Sequence, residues 1–206
     1  MSESKIYFYP LWLRIWHSVN ALCIIVLIIT GFLMHYGIHG KFINFYLIVR
    51  FHNYTGVILA LNYLVFFSGN IVFGNKKFYR LKIKGWLQRI IRQSEYYAFG
   101  MFKGQQPPFP LNEKRKFNPL QKFSYFFSMY LILPLVIISG IALLYPEIIV
   151  EEVYDVSGVF LTALFHAGLG FIILMFLIVH VYAASIGKNP IQNFKSIING
   201  WHELSH

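Results

Sequence analysis

Apolar residues run almost unbroken over four stretches of the chain, at about 15–36, 51–73, 123–145 and 160–186. Each exceeds the roughly 20 residues that an α-helix needs to cross a ~30 Å hydrocarbon core. The pattern therefore predicts an all-α integral membrane protein: one transmembrane domain over residues 1–206, folded as a four-helix bundle. The first run is longer than the apolar part of a secretory signal and has no AxA-like cleavage site, so it is expected to remain as the first helix. A long polar stretch separates the second and third runs. Within it Ile83, Trp86, Leu87, Ile90 and Ile91 recur at helical spacing, with Lys82, Arg89 and Arg92 off that stripe. This predicts a basic amphipathic helix lying at the cytoplasmic interface. The run Gln105–Pro110 (QQPPFP) then breaks regular structure.

Composition agrees. Of the 206 residues, 57% are hydrophobic and 13% charged, about half the charge of a soluble domain. The net charge of +10 could suggest a nucleic-acid partner, but its placement argues for topology instead. The stretch between the second and third runs holds twelve Lys and Arg residues, from Lys76 through Lys114 to Lys122. The stretch between the third and fourth, with Glu147, Glu151, Glu152 and Asp155, holds none. With both ends inside, only Lys41 and Arg50 of the 18 basic residues fall outside, and Lys188 and Lys195 fall inside. The positive-inside rule then places both termini in the cytoplasm, with the lipid bilayer and not nucleic acid as the partner of the charge. The single cysteine, Cys23, excludes a disulfide framework, an iron–sulfur cluster held by this chain and a covalent CxxCH haem.

Candidate chemistry lies in the histidines. The stretch FHAGLGFIILMFLIVH, Phe165 to His180, is apolar except for His166 and His180. Fourteen helical residues bring the two rings to within roughly 40° of one face, about 21 Å apart along the axis. His17 stands in the first apolar run and His52 opens the second. Ionisable residues inside a membrane are costly and mark function. The topology puts His17 and His180 near the cytoplasmic side and His52 and His166 near the outer side. Of the three possible pairings, only His17–His180 and His52–His166 join residues of equal depth. Two imidazoles facing each other across an apolar gap suit the iron of a haem, so two haems b are expected, with these four histidines as axial ligands. One turn after them stand Gly56 and Gly170 for the outer pair and Ala21 and Ala184 for the inner, each small enough to admit a macrocycle. Zinc or di-iron would need ligands converging on one point, usually with carboxylates, and the helix centres carry none. A haem-free transporter or anchor would show intramembrane acids or interrupted helices, and the sequence shows neither. His35, His39, His202 and His206 read as loop or helix-end residues. Arg14 and Arg50 fit either haem propionates or snorkelling at the interface.

The segments Arg14–Gly31 (RIWHSVNALCIIVLIITG), Phe51–Gly56 (FHNYTG), Lys116–Lys122 (KFNPLQK) and Pro134–Gly140 (PLVIISG), with the His166/His180 pair, resemble the prokaryotic di-haem cytochromes b. These are membrane subunits of thiosulfate reductases, nickel–iron hydrogenases and formate dehydrogenases. KFNPLQK and the closing Gly200–Glu203 (GWHE) are most similar to the thiosulfate reductase type. The resemblance covers nearly the whole chain. It implies an electron-transfer subunit of the respiratory chain in the inner membrane, with substrate catalysis on a partner. That partner would be a periplasmic redox protein, an iron–sulfur/molybdopterin or multihaem reductase. It also implies a quinone or menaquinone site near the cytoplasmic haem, at Asn118 and Gln121, where Leu120 replaces a glycine of the formate dehydrogenase pattern. Asn118-Pro119 equally fits a helix start, Asn as the cap and Pro at the first position. The hydrogenase and formate dehydrogenase types, feeding electrons into quinone, remain the alternative partners.

Overall fold

The computed structural model describes residues 5–37, 44–81, 83–110, 112, 115–186 and 190–203. Lys41, Lys82, Lys114, Lys188, His39 and His206 lie outside the described residues. In chain order the elements are β1 (Lys5–Tyr7), α1 (Leu11–His35), α2 (Phe45–Val72), α3 (Trp86–Glu95), α4 (Pro119–Phe127), α5 (Leu133–Leu144), β2 (Glu152–Val153), β3 (Val156–Ser157), α6 (Gly158–Ser185), α7 (Gln192–Asn199) and β4 (Trp201–Glu203). The fold is an all-α four-helix membrane bundle. Its four membrane-length helices are α1, α2, the combined span Pro119–Leu144, and α6.

Each span begins before its apolar run: α2 at Phe45 rather than residue 51, and the third span at Pro119 rather than 123. A helix does not end where hydrocarbon ends. Its backbone ladder continues through the interface, carrying Arg14, Arg50 and Lys122 as helical residues. The third span is interrupted by a π turn at Ser128–Ile132. Pro134 follows it and has no N–H to offer the carbonyl four residues back, so the hydrogen-bond register shifts locally. The outward faces of the spans stay apolar, with Leu22, Leu61 and Phe171 all exposed, as lipid contact requires.

The chain divides into two compact units, residues 1–14, 69–129 and 180–206 in the first and 15–68 and 130–179 in the second. In the second, Phe66 is wholly buried and stacks on Trp16 with ring centres 4.4 Å apart. The Trp16 indole donates to the Asn62 carbonyl at 3.1 Å, and the Asn62 amide donates back to the Trp16 carbonyl at 3.2 Å. This locks α1 against α2 in register. The β2–β3 hairpin turns at Tyr154 and Asp155, whose φ of 51° and 61° are the signs a tight two-residue hairpin demands.

The first unit joins the two ends of the described chain. β1 pairs antiparallel with β4, and Phe8 and Tyr9 both donate backbone N–H to the Gly200 carbonyl. Gly200 has φ 90°, and a Cβ there would stand 2.8 Å from the Tyr9 carbonyl oxygen, so only glycine closes this corner. Lys116, 3% exposed, donates from Nζ to the Phe8 carbonyl at 2.8 Å and lies 4.4 Å from the centre of the Tyr9 ring, with Phe78 and Phe117 each 5.5 Å away. Burial holds its ammonium down to about 7 and pushes the Tyr9 phenol up to about 12. α3 forms in the polar stretch as expected of an amphipathic helix. It starts at Trp86 and leaves Ile83 outside; Trp86 stacks on Phe123 at 5.4 Å while Leu87 and Ile91 stay exposed.

Candidate functional site

The second unit brings His52 and His166 together. His52 sits two turns into α2 and His166 two turns into α6. Their ring centres are 6.2 Å apart, with the planes at 74°. A metal held between two imidazole nitrogens at about 2.0 Å, with each ring centre ~1.1 Å behind its nitrogen, separates the rings by about 6 Å. The spacing is that of two imidazoles which would hold one iron between them and supply it with nitrogen ligands. Each ring is also held from behind. Thr30 Oγ1 lies 2.9 Å from His52 Nδ1, and Ser139 Oγ lies 2.9 Å from His166 Nδ1, which leaves Nε2 of both rings for a metal. Gly56 and Gly170, one turn beyond the histidines, have nothing within 4 Å of where a Cβ would stand.

The inner residues are placed differently. His17 belongs to the second unit, its ring 6.4 Å from that of Trp16, with Ala21 one turn on. His180 belongs to the first unit, edge-on to Tyr125 at 5.6 Å, and the Ala184 carbonyl accepts from the Asn193 amide at 3.0 Å. Fourteen residues of continuous α6 separate His166 from His180, about 21 Å along the axis. Arg50 lies on an exposed face of α2, donating to the Tyr54 hydroxyl at 2.9 Å and flanked by Tyr46. The Arg14 guanidinium donates to the Ile198 carbonyl near the end of α7.

Asn118 and Gln121 face each other in a reciprocal capping box. Asn118 Oδ1 accepts from the Gln121 backbone N–H at 2.9 Å, and Gln121 Oε1 accepts from the Asn118 N–H at 3.2 Å. The Asn118 amide also donates to the Tyr97 hydroxyl at 2.8 Å. Tyr97 is bonded in turn to Gln93, and burial pushes its phenol up. Gln93 is 2% exposed and its Oε1 has no partner. Thr30, Ser139 and Gln93 are the polar residues that the sequence reading passed over. For Thr30 and Ser139 the available signal was rarity, a hydroxyl in an apolar stretch of helix, whereas Gln93 sits among Gln88, Arg89, Arg92 and Glu95 and carries no such signal.

A profile of the family described as prokaryotic cytochrome b561 matches residues 8–200. The Escherichia coli (strain K12) protein named "Putative cytochrome YdhU" is 35% identical over 198 residues, which are 96% of this chain and 75% of the relative. No solved structure matches at a significant level.

Proposed function

The chain belongs to the prokaryotic cytochrome b561 family, and from that premise we propose that it carries electrons between the quinone pool and a periplasmic redox subunit through two haems b. This is a multi-pass cytochrome of the prokaryotic inner membrane that binds haem b and serves electron transfer. Bound haem supplies a one-electron change between ferric and ferrous iron. The protein supplies ligands, spacing and surroundings.

The observation that supports an outer haem is the His52–His166 pair, spaced for one metal and braced at both Nδ1 atoms. His17 and His180 are the second pair by their matched depth. Residues of α6 serve both layers, so its fourteen-residue interval becomes the distance between redox centres. The quinone site is proposed at the start of α4, where Asn118 and Gln121 retain amide N–H groups beyond their capping bonds and where Gln93 has an acceptor to offer. The partner is a periplasmic iron–sulfur/molybdopterin or multihaem reductase acting on thiosulfate or a related sulfur compound. Support for that choice is the resemblance of KFNPLQK and GWHE to the thiosulfate reductase type.

The test is purification from haem-replete cells, haem quantification per chain, and redox spectra of histidine variants. His166→Ala and His52→Ala are expected to lose the same haem and leave one per chain, while His17→Ala and His180→Ala lose the other. Loss of one haem by both His17→Ala and His52→Ala would overturn the pairing.

A further inference from the structure

The hydroxyls behind the outer pair belong to one short pattern used twice, Ile28-Ile29-Thr30-Gly31 on α1 and Ile137-Ile138-Ser139-Gly140 on α5. A hydroxyl has one proton to give. Thr30 Oγ1 is 2.7 Å from the Val26 carbonyl, and Ser139 Oγ is 3.1 Å from the Val136 carbonyl, so each proton is spent on the helix backbone. With each hydroxyl donating to its helix backbone, the 2.9 Å contact with each imidazole runs from Nδ1–H to the hydroxyl oxygen, and the Val136 carbonyl is a second acceptor beside His166. That direction fixes both rings in the Nδ1–H tautomer, with the Nε2 lone pair available to a metal. Gly140 lets its ring approach, since a Cβ there would stand 3.1 Å from His166 Cε1, whereas a Cβ at Gly31 would meet His52 Cε1 at an ordinary 3.8 Å.

We propose that the Thr30 and Ser139 hydroxyls, with Gly140 giving His166 room, form a clamp that orients the outer haem's two ligands and sets the reduction potential of that haem. The proposal rests on the haem reading of His52 and His166. An Nδ1–H bonded to an oxygen makes the imidazole a stronger donor, which favours ferric over ferrous iron, so removing the acceptor raises the potential. These are positioning residues, since both act through the histidines.

The test is a spectroscopic redox titration of the purified holoprotein carrying Thr30→Val, Ser139→Ala or both, with Thr30→Ser as the variant that keeps the hydroxyl. The double variant is expected to shift the ferric-to-ferrous preference of one haem fivefold to tenfold, about 40–59 mV upward for a one-electron couple. The other haem's wave is expected to stay in place, as is the potential of Thr30→Ser. Loss of the outer haem from Thr30→Val that Thr30→Ser restores would also support the clamp. An unchanged potential in the double variant at full haem content overturns it, as does an equal shift in Thr30→Ser. If His52→Ala and His166→Ala both retain two haems, the haem reading falls and takes the clamp with it. If they lose a haem while the double variant titrates like the parent, only the clamp falls.

Discussion

Lys116→Met removes an ammonium from a site where it is 3% exposed and leaves a side chain of similar reach. Burial holds that ammonium down to about 7 from 10.5, which at ~1.36 kcal/mol per pH unit costs the folded state about 4–5 kcal/mol while the lysine is charged. The bond to the Phe8 carbonyl and the Tyr9 face 4.4 Å away both act on the charged form and are part of that net figure. At pH 6 the methionine variant, which buries no charge, should therefore be the more stable of the two. The pH dependence is the sharper reading. Below pH 7 lysine is protonated in both folded and unfolded chains, and this group gives no slope. Between 7 and 10.5 the unfolded chain binds a proton that the folded chain does not, so the parent gains stability as pH rises. By pH 9 that gain is about 2–3 kcal/mol, and the methionine variant lacks it. Chemical denaturation in detergent, followed by tryptophan fluorescence at pH 6 and pH 9, measures the difference of differences. Parallel pH dependence of parent and variant would refute the argument.

Two further outcomes follow from the polar cluster at the start of α4. Asn118→Ala removes both the helix cap and the donor to Tyr97, so it should lower stability by about 1–2 kcal/mol. Thermal unfolding by circular dichroism checks this, and an unchanged midpoint would mean that the cap is replaced by water. Gln93→Met removes the amide whose buried Oε1 stands ready for a hydroxyl donor. With dimethylnaphthoquinol as reductant, the KM for haem reduction should rise about tenfold, the ~1.4 kcal/mol of one lost hydrogen bond, with reduction by dithionite unchanged. An unaltered KM would remove Gln93 from the quinone site.

The spans were readable because lipid selects only for length and apolarity, and both survive in a linear string. Their ends were harder to place. Hydropathy marks where hydrocarbon contact begins, whereas capping and backbone bonding decide where the helix begins. At the third span the cap was in plain view: Asn118-Pro119 sets the start, four residues before the apolar run. The depth of the histidines could likewise be counted along each helix, and the His52 and His166 rings lie 6.2 Å apart with their planes at 74°. What could not be counted was rotation. These helices are apolar nearly all round, so no stripe says which side of α1 or α5 looks inward. Lys116 illustrates a different loss, since in the sequence it is one more positive charge on the cytoplasmic side, yet it is buried and ties down the Phe8 carbonyl.

The information on rotation sits instead in the few polar side chains. A hydroxyl or amide in a lipid-facing helix must find a partner, and the partner fixes which face is turned in. Asn62 and Trp16 fix α2 against α1, Thr30 fixes α1 against His52, and Ser139 fixes α5 against His166. Each of these bonds joins two different helices, so together they set the register within the second unit as well as the orientation of its two imidazoles. The residues that orient the helices are thus also those that orient the histidines. A substitution such as Ser139→Ala should accordingly be felt first in the redox properties of the site, because packing by Val136 and Leu133, both buried on the same helix, still holds the fold when the hydroxyl is gone.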